Sequence, residues 1–233
     1  NNYGLHMLMS AVAEGFDFMI GAFAEEAMSS DDRTIALIGH QSDMTFVHGK
    51  VYRREFLTKY NLRFDDEMTI HEDGYFNALV YSTAKVEKAK IKKIATPFYL
   101  WCWNENSVVR SDKEDFVLKT YPKLIQTRTG LARQLKDRGY QEEYEASVCM
   151  TVLNCYYDHQ KASYWTAKNE KYRKIAEKAF KEYWNEFKKT FYDQTNAKIA
   201  ELAKAARDTA YQNGLLLERE SLKEFLKRID GLK

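Results

Sequence analysis

Two carboxylates stand side by side at Glu72 and Asp73, directly after His71 and ahead of the apolar residues Tyr75, Phe76, Leu79 and Val80. A carboxylate held against a hydroxyl can take its proton as the oxygen attacks, whereas in the first turn of a helix the same pair need do no more than favour the helix dipole. Positive charge flanks the pair in sequence, at Lys50 before it and at Arg110, with Ser107, after it. Such cations either neutralise a departing diphosphate or are solvated surface charges. His40, His48 and His71 match no zinc signature. His48 is the metal-ligand candidate because it neighbours Gly49, where backbone can approach a ligand closely; the other reading is a hydrogen-bonded histidine that holds no metal. Trp101 and Trp103, together with His71, are the acceptor-binding candidates, since an indole face packs on the apolar face of a sugar as readily as it fills a core.

The elements that must position these residues are legible as patterns. Leu5, Leu8, Met9 and Val12 recur at helical spacing, and Gly15 can end that helix. Phe16 to Phe23 and Thr34 to Ile38 read as strands separated by a polar loop. The mixture of Val51, Phe56, Leu57 and Tyr60 with Arg53, Arg54, Glu55 and Lys59 predicts a short amphipathic helix over 51–60. A second helix begins near His71 with Glu72 and Asp73 in its first turn. Ile91 to Ile94 and Phe98 to Trp103 read as two strands, the second with Tyr99, Trp101 and Trp103 alternating onto one aromatic face. From about Ser111 the chain becomes rich in Lys, Glu, Ala and aromatic residues, predicting four or five helices. Phe180, Trp184, Phe187 and Phe191 share one helical face; Ile199, Leu202 and Ala206 share another, and Leu222, Phe225, Leu226 and Ile229 a third.

Between His48 and Ser111 five short motifs follow in order: His48-Gly49-Lys50-Val51-Tyr52-Arg53-Arg54-Glu55-Phe56-Leu57, then Asn61-Leu62-Arg63-Phe64-Asp65, then Ile70-His71-Glu72-Asp73-Gly74-Tyr75-Phe76-Asn77, then Pro97-Phe98-Tyr99, and Asn106-Ser107-Val108-Val109-Arg110. Each alone is weak, but the ordered set is specific. It resembles the second half of bacterial family 2 glycosyltransferases, inverting enzymes of the GT-A fold that build surface glycans. The resemblance implies a partial GT-A, Rossmann-like α/β domain over 1–111 and an α-helical domain over 112–233. It implies transfer of a sugar from a nucleotide-sugar donor to a glycan or other hydroxyl acceptor. Asp73 would then be the general base and Glu72 its partner, with Lys50, Arg110 and Ser107 near the donor phosphates. One departure stands out. The Asp-x-Asp that would hold Mg²⁺ or Mn²⁺ on the donor is absent, since Asp31-Asp32 and Asp65-Asp66 lack the intervening residue. The resemblance therefore places the donor half of the domain, and most metal ligands, upstream of Asn1. Two rival readings remain: a non-catalytic binding or scaffold module of the same fold, and a glycosyltransferase that modifies DNA or protein.

Composition bounds these readings. With 233 residues, 45% of them hydrophobic, the chain can bury a sizeable core. Lys plus Arg (36) and Asp plus Glu (34) nearly cancel, so no whole-chain field draws it to nucleic acid. Three scattered cysteines form no disulfide framework. No apolar run reaches the ~18 residues that span a bilayer, and no signal peptide precedes the first helix. The expected setting is cytoplasmic, extending to the inner face of the membrane. The helical tail is expected to pack, to self-associate into a homo-oligomer, or to grip a polymeric acceptor.

Overall fold

The computed structural model describes residues 2–28, 34–104, 116–166, 169–212 and 214–232. They form two compact units, Asn1–Ser111 and Asp112–Lys233. The first is mixed α/β and the second helical.

In the first unit, helix α1 (Asn2–Ala13) runs into strand β1 (Phe18–Met28) through Gly15, whose φ of 68° lets its N–H reach back to the Val12 carbonyl. β1 is the centre of a four-stranded sheet. Strand β2 (Ile35–His40) pairs antiparallel with its second half, Phe23 opposite His40. The short strand β3 (Lys50–Tyr52) pairs antiparallel with its first half, Phe18 opposite Tyr52. Strand β4 (Ile91–Trp101) runs parallel along the other side of β1. Helix α2 (Arg54–Lys59) follows β3, and helix α3 (Glu72–Val86) links it to β4.

Both faces of the sheet are covered where β1 and β3 meet, because successive side chains of a strand point to opposite sides. Met19 packs in a cluster with Phe16, Leu8 of α1, Val51, Ile94 and Phe98. Phe18 faces the other way, stacked on Tyr52, whose ring meets Phe76 of α3 edge-on. Tyr75, Phe76, Leu79 and Val80 are the buried side of α3, as its periodicity predicts.

Two expected elements differ. The helix expected over 51–60 begins only at Arg54, because Val51 and Tyr52 are taken up by the β3 ladder. The two strands expected over 91–103 are one. Gly21 pairs with Ile94 and Phe23 with Tyr99, so the extra residues of β4 bulge outward around Pro97, which has no N–H to give to a ladder. β4 ends at Trp101, which leaves Trp103 outside the strand.

The helical unit contains α4 (Phe116–Asp137), α5 (Gln141–Gln160), α6 (Glu170–Tyr192), α7 (Asn196–Gln212) and α8 (Leu222–Asp230). Its core is aromatic. Phe180, Trp184, Phe187 and Phe191 of α6 are buried along one face, as are Phe225, Leu226 and Ile229 of α8. Burial of such side chains contributes about 1.5–3 kcal/mol each. A capping box between Ser221 and Glu224 fixes where α8 starts, and the Trp184 indole N–H donates to Asp230 at its far end. Ala206 of α7 is buried while Ile199 and Leu202 are half-buried, so that face packs less deeply.

No described helix is long and apolar enough to cross a membrane.

Candidate functional site

The site grows from the start of α3 and the turn before β3. His71 takes the left-handed conformation (φ 65°, ψ 8°) at the cap of α3, a state uncommon outside glycine and concentrated at functional positions. Glu72 and Asp73 follow in the first turn. Asp73 accepts a hydrogen bond from the Val47 backbone N–H at 3.1 Å through Oδ2. Burial pushes its carboxyl above the usual carboxylate range and neighbouring Glu72 adds to this, while the Val47 N–H, His48 and Lys50 partly offset it. Asp73 is thus held more basic than an ordinary carboxylate, a direction that suits a general base.

The loop that meets Asp73 is held by two devices. Asp43 accepts the backbone N–H of Thr45 (2.7 Å) and of Phe46 (3.3 Å), an Asx-type turn. From below, the wholly buried Asn77 donates to the carbonyls of Met44 and Phe46 at 3.1 and 2.9 Å and accepts from the Tyr52 hydroxyl. The turn closes on Gly49, whose φ is 71° and whose carbonyl accepts the Gly21 N–H at 2.8 Å. A Cβ on Gly49 would lie 2.7 Å from the Gly21 carbonyl oxygen, so only glycine lets the loop approach β1 this closely.

Lys50 is buried, at 9% exposure. Its ammonium donates to the His48 carbonyl at 3.0 Å and lies over the Phe23 ring. Burial lowers its pKa, while Asp43 and Asp73 work against that shift. Of the two sequence readings, the solvated surface cation is overturned by this burial.

His48 lies in an aromatic cluster. Its ring stacks on Tyr99 (centroids 5.0 Å, planes 10° apart) and packs against Trp101 (4.8 Å), Phe46 (5.8 Å) and Phe23 (5.5 Å). Burial depresses its pKa, which favours the neutral imidazole. The described residues include no group of three or more His, Cys, Asp or Glu side chains placed to hold a metal ion. His48 stands among aromatic rings, and the Mg²⁺ or Mn²⁺ ligands that the resemblance implies are mostly ones it places outside this chain. His40 is held by Glu25 at 2.9 Å and stacks on Phe23.

Of the residues singled out from sequence, Asp73, Glu72, Lys50, His48 and Trp101 are brought together, with His71 at the cap beneath them. Trp103 lies past the end of β4, where its backbone N–H donates to Glu26. Ser107 and Arg110 lie outside the described residues. Asp43, Phe46, Asn77 and Tyr99 complete the site and carried no assigned role in the sequence. Tyr99 had a visible signal in its alternation with Trp101, and Asn77 stood at the end of a quoted motif without a role.

Comparison of the chain with protein-family models, with characterised proteins and with solved structures gives no match.

Proposed function

We propose that this chain is the acceptor-side part of an inverting glycosyltransferase of the GT-A type, carrying the general base and an acceptor platform. One observation carries the reading. The basic, half-buried Asp73 carboxylate is fixed by one oxygen to the Val47 N–H and lies beside the His48–Tyr99–Trp101 stack, of which Tyr99 is exposed and the other two rings are half-buried. In this mechanism the acceptor sugar lies on the Tyr99 and Trp101 rings, and its hydroxyl faces the second oxygen of Asp73. Asp73 takes the hydroxyl proton as the oxygen bonds to the anomeric carbon, and the bond from that carbon to the diphosphate breaks on the opposite face, giving inversion. Glu72 keeps Asp73 basic by like-charge repulsion. Lys50, whose charge is already shared with Asp43 and Asp73, tunes the base from its buried position.

The donor diphosphate and its Mg²⁺ or Mn²⁺ are assigned to carboxylates that this sequence lacks. α1 leaves Leu5, Met9 and Val12 exposed at 62, 59 and 45%, and β2 leaves Leu37 exposed at 70%. Apolar surface of this extent suits cover by a donor-binding half.

The test is nucleoside diphosphate release from a panel of nucleotide-sugars with either cation, using the protein purified whole from its native source. Release that depends on a hydroxyl acceptor, with an inverted product anomer by NMR, is expected. A retained anomer, or no release with any donor, would overturn the proposal.

A further inference from the structure

The helical unit contains a cavity of about 180 Å³ between α4, α5 and α7. Its size alone is informative, since a cavity of roughly 150 Å³ accommodates a benzene ring. One side is apolar, from Leu124 and Ile125 of α4 and Ala206 and Ala210 of α7. The other side is polar in an unusual way. Arg128 lines it and has neither a hydrogen bond nor an ion pair among the described residues. Asn154 lines it with its carboxamide equally unengaged. Tyr121, 1% exposed, lines it with a buried hydroxyl that faces the Cys155 thiol, a weak partner, and makes no other hydrogen bond. That hydroxyl stands near Cys155 and Asp158, which line the same cavity.

The Tyr121 hydroxyl is costly as it stands, while Arg128 and Asn154 are half-buried. A buried hydroxyl without a good partner is destabilising by about 1–3 kcal/mol, and natural cores contain few such groups. The charges at the cavity do not cancel. Lys161 and Asp158 neutralise one another at 2.7 Å, which leaves Arg128 as the excess positive charge. A planar guanidinium suits a two-oxygen acceptor, with the carboxamide N–H and the phenol O–H as further donors.

We propose that this cavity binds a small organic oxyanion, a carboxylate or phosphate monoester on an apolar body of about one ring. The oxyanion pairs with Arg128 and takes hydrogen bonds from Asn154 and Tyr121, while the body lies against Leu124, Ile125 and Ala210. The site is independent of the glycosyltransferase reading, because every residue in it belongs to the helical unit.

The experiment is titration of the full chain with benzoate, phenyl phosphate, inorganic phosphate and benzyl alcohol, followed by NMR and calorimetry. Benzoate, phenyl phosphate or both should saturate and shift the Arg128 and Asn154 side-chain resonances, with the two separating carboxylate from phosphate preference. Benzyl alcohol and inorganic phosphate should each bind roughly tenfold more weakly or worse, lacking the charge or the body. Arg128→Gln should lose roughly tenfold or more in affinity with its circular dichroism unchanged. Tyr121→Phe separates a ligand contact from a structural one. Removing a buried hydroxyl whose partner is only a weak thiol should leave the free protein equally or more heat-stable while weakening binding. No saturation by either aromatic anion up to about 10 mM, where a ligand of about nine heavy atoms should register, overturns the proposal. So does benzyl alcohol or inorganic phosphate binding as tightly as the better anion, or a Tyr121→Phe variant that loses heat stability and keeps its affinity.

Discussion

At the scale of single residues, Asp73 separates function from stability. Its folded carboxyl holds a proton more tightly than the ordinary value of 3.8, chiefly through burial. The folded state therefore binds more protons than the unfolded chain just above pH 3.8, and Asp73 lowers stability as pH rises through that window. Asp73→Asn keeps the oxygen that accepts from Val47 and removes the disfavoured charge. It should cut sugar transfer by ~10²-fold or more while leaving the thermal midpoint unchanged or higher, as read by turnover and melting on the same samples. A lower midpoint would mean that the carboxylate is structural. His48 runs in the opposite direction. Its imidazole is depressed below 6.5 by burial, so the unfolded chain takes up the proton first and stability falls as pH drops below 6.5. His48→Phe, which keeps a ring against Tyr99 and Trp101, should flatten the melting midpoint between pH 7 and about 5. A midpoint that still falls as steeply would place the titrating group elsewhere. Asp73, Lys50 and His48 were legible because their types announce chemistry. Asn77 stood in the same motif as Asp73, but its role was hidden, because a carboxamide reaching the carbonyls of Met44 and Phe46 looks in sequence like any polar residue on a helix.

Among the elements, the loop between Asp43 and Lys50 decides whether the site exists at all. Gly49 is its least replaceable position, since its φ of 71° and the 2.7 Å approach to Gly21 leave no room for a methyl group. Gly49→Ala should destabilise the α/β unit by about 2–4 kcal/mol, combining left-handed strain with overpacking. The drop in midpoint should be roughly 10 °C or more, measured calorimetrically. A variant that melts like the parent would show that the loop can move off β1 freely. The helices were readable from the sequence because an amphipathic stripe is a local signal. β3 was not. With only Lys50–Tyr52 in the strand, its defining partner is Phe18–Ile20, far away in sequence, and the apolar spacing that follows imitates a helix from Val51 onward. The two strands read between Ile91 and Trp103 merge for a similar reason. The bulge around Pro97 is defined only by the register against Gly21 and Phe23.

Over the whole molecule, two compact units each carry a core of their own, one around a mixed sheet and the other around aromatic helices. The change in composition near Ser111 made the helical part visible in the sequence, while the order in which its helices pack depends on long-range contacts that no short pattern encodes. In that unit, Phe225 is wholly buried and its ring meets Tyr156, His159 and Phe180 at centroid distances of 5.7, 4.7 and 5.4 Å. His159 in turn contacts the Tyr164 hydroxyl at 2.8 Å and Glu177 at 3.4 Å, and Arg228 closes the network onto Glu177 at 2.8 Å and onto Glu220. Burial raises the Glu177 carboxyl, but the hydrogen bonds and charges of His159 and Arg228 outweigh it and leave the pKa lowered. An aromatic core enclosing a paired polar network is enough for residues 112–233, expressed alone, to give a helical circular dichroism spectrum and a cooperative melt. Phe225→Ala in that segment should cost about 3–5 kcal/mol, the usual penalty for deleting a buried ring. The same core then accounts for both results. A segment that is helical but melts without a transition, or a Phe225→Ala variant as stable as its parent, would show that the helical unit has no independent core.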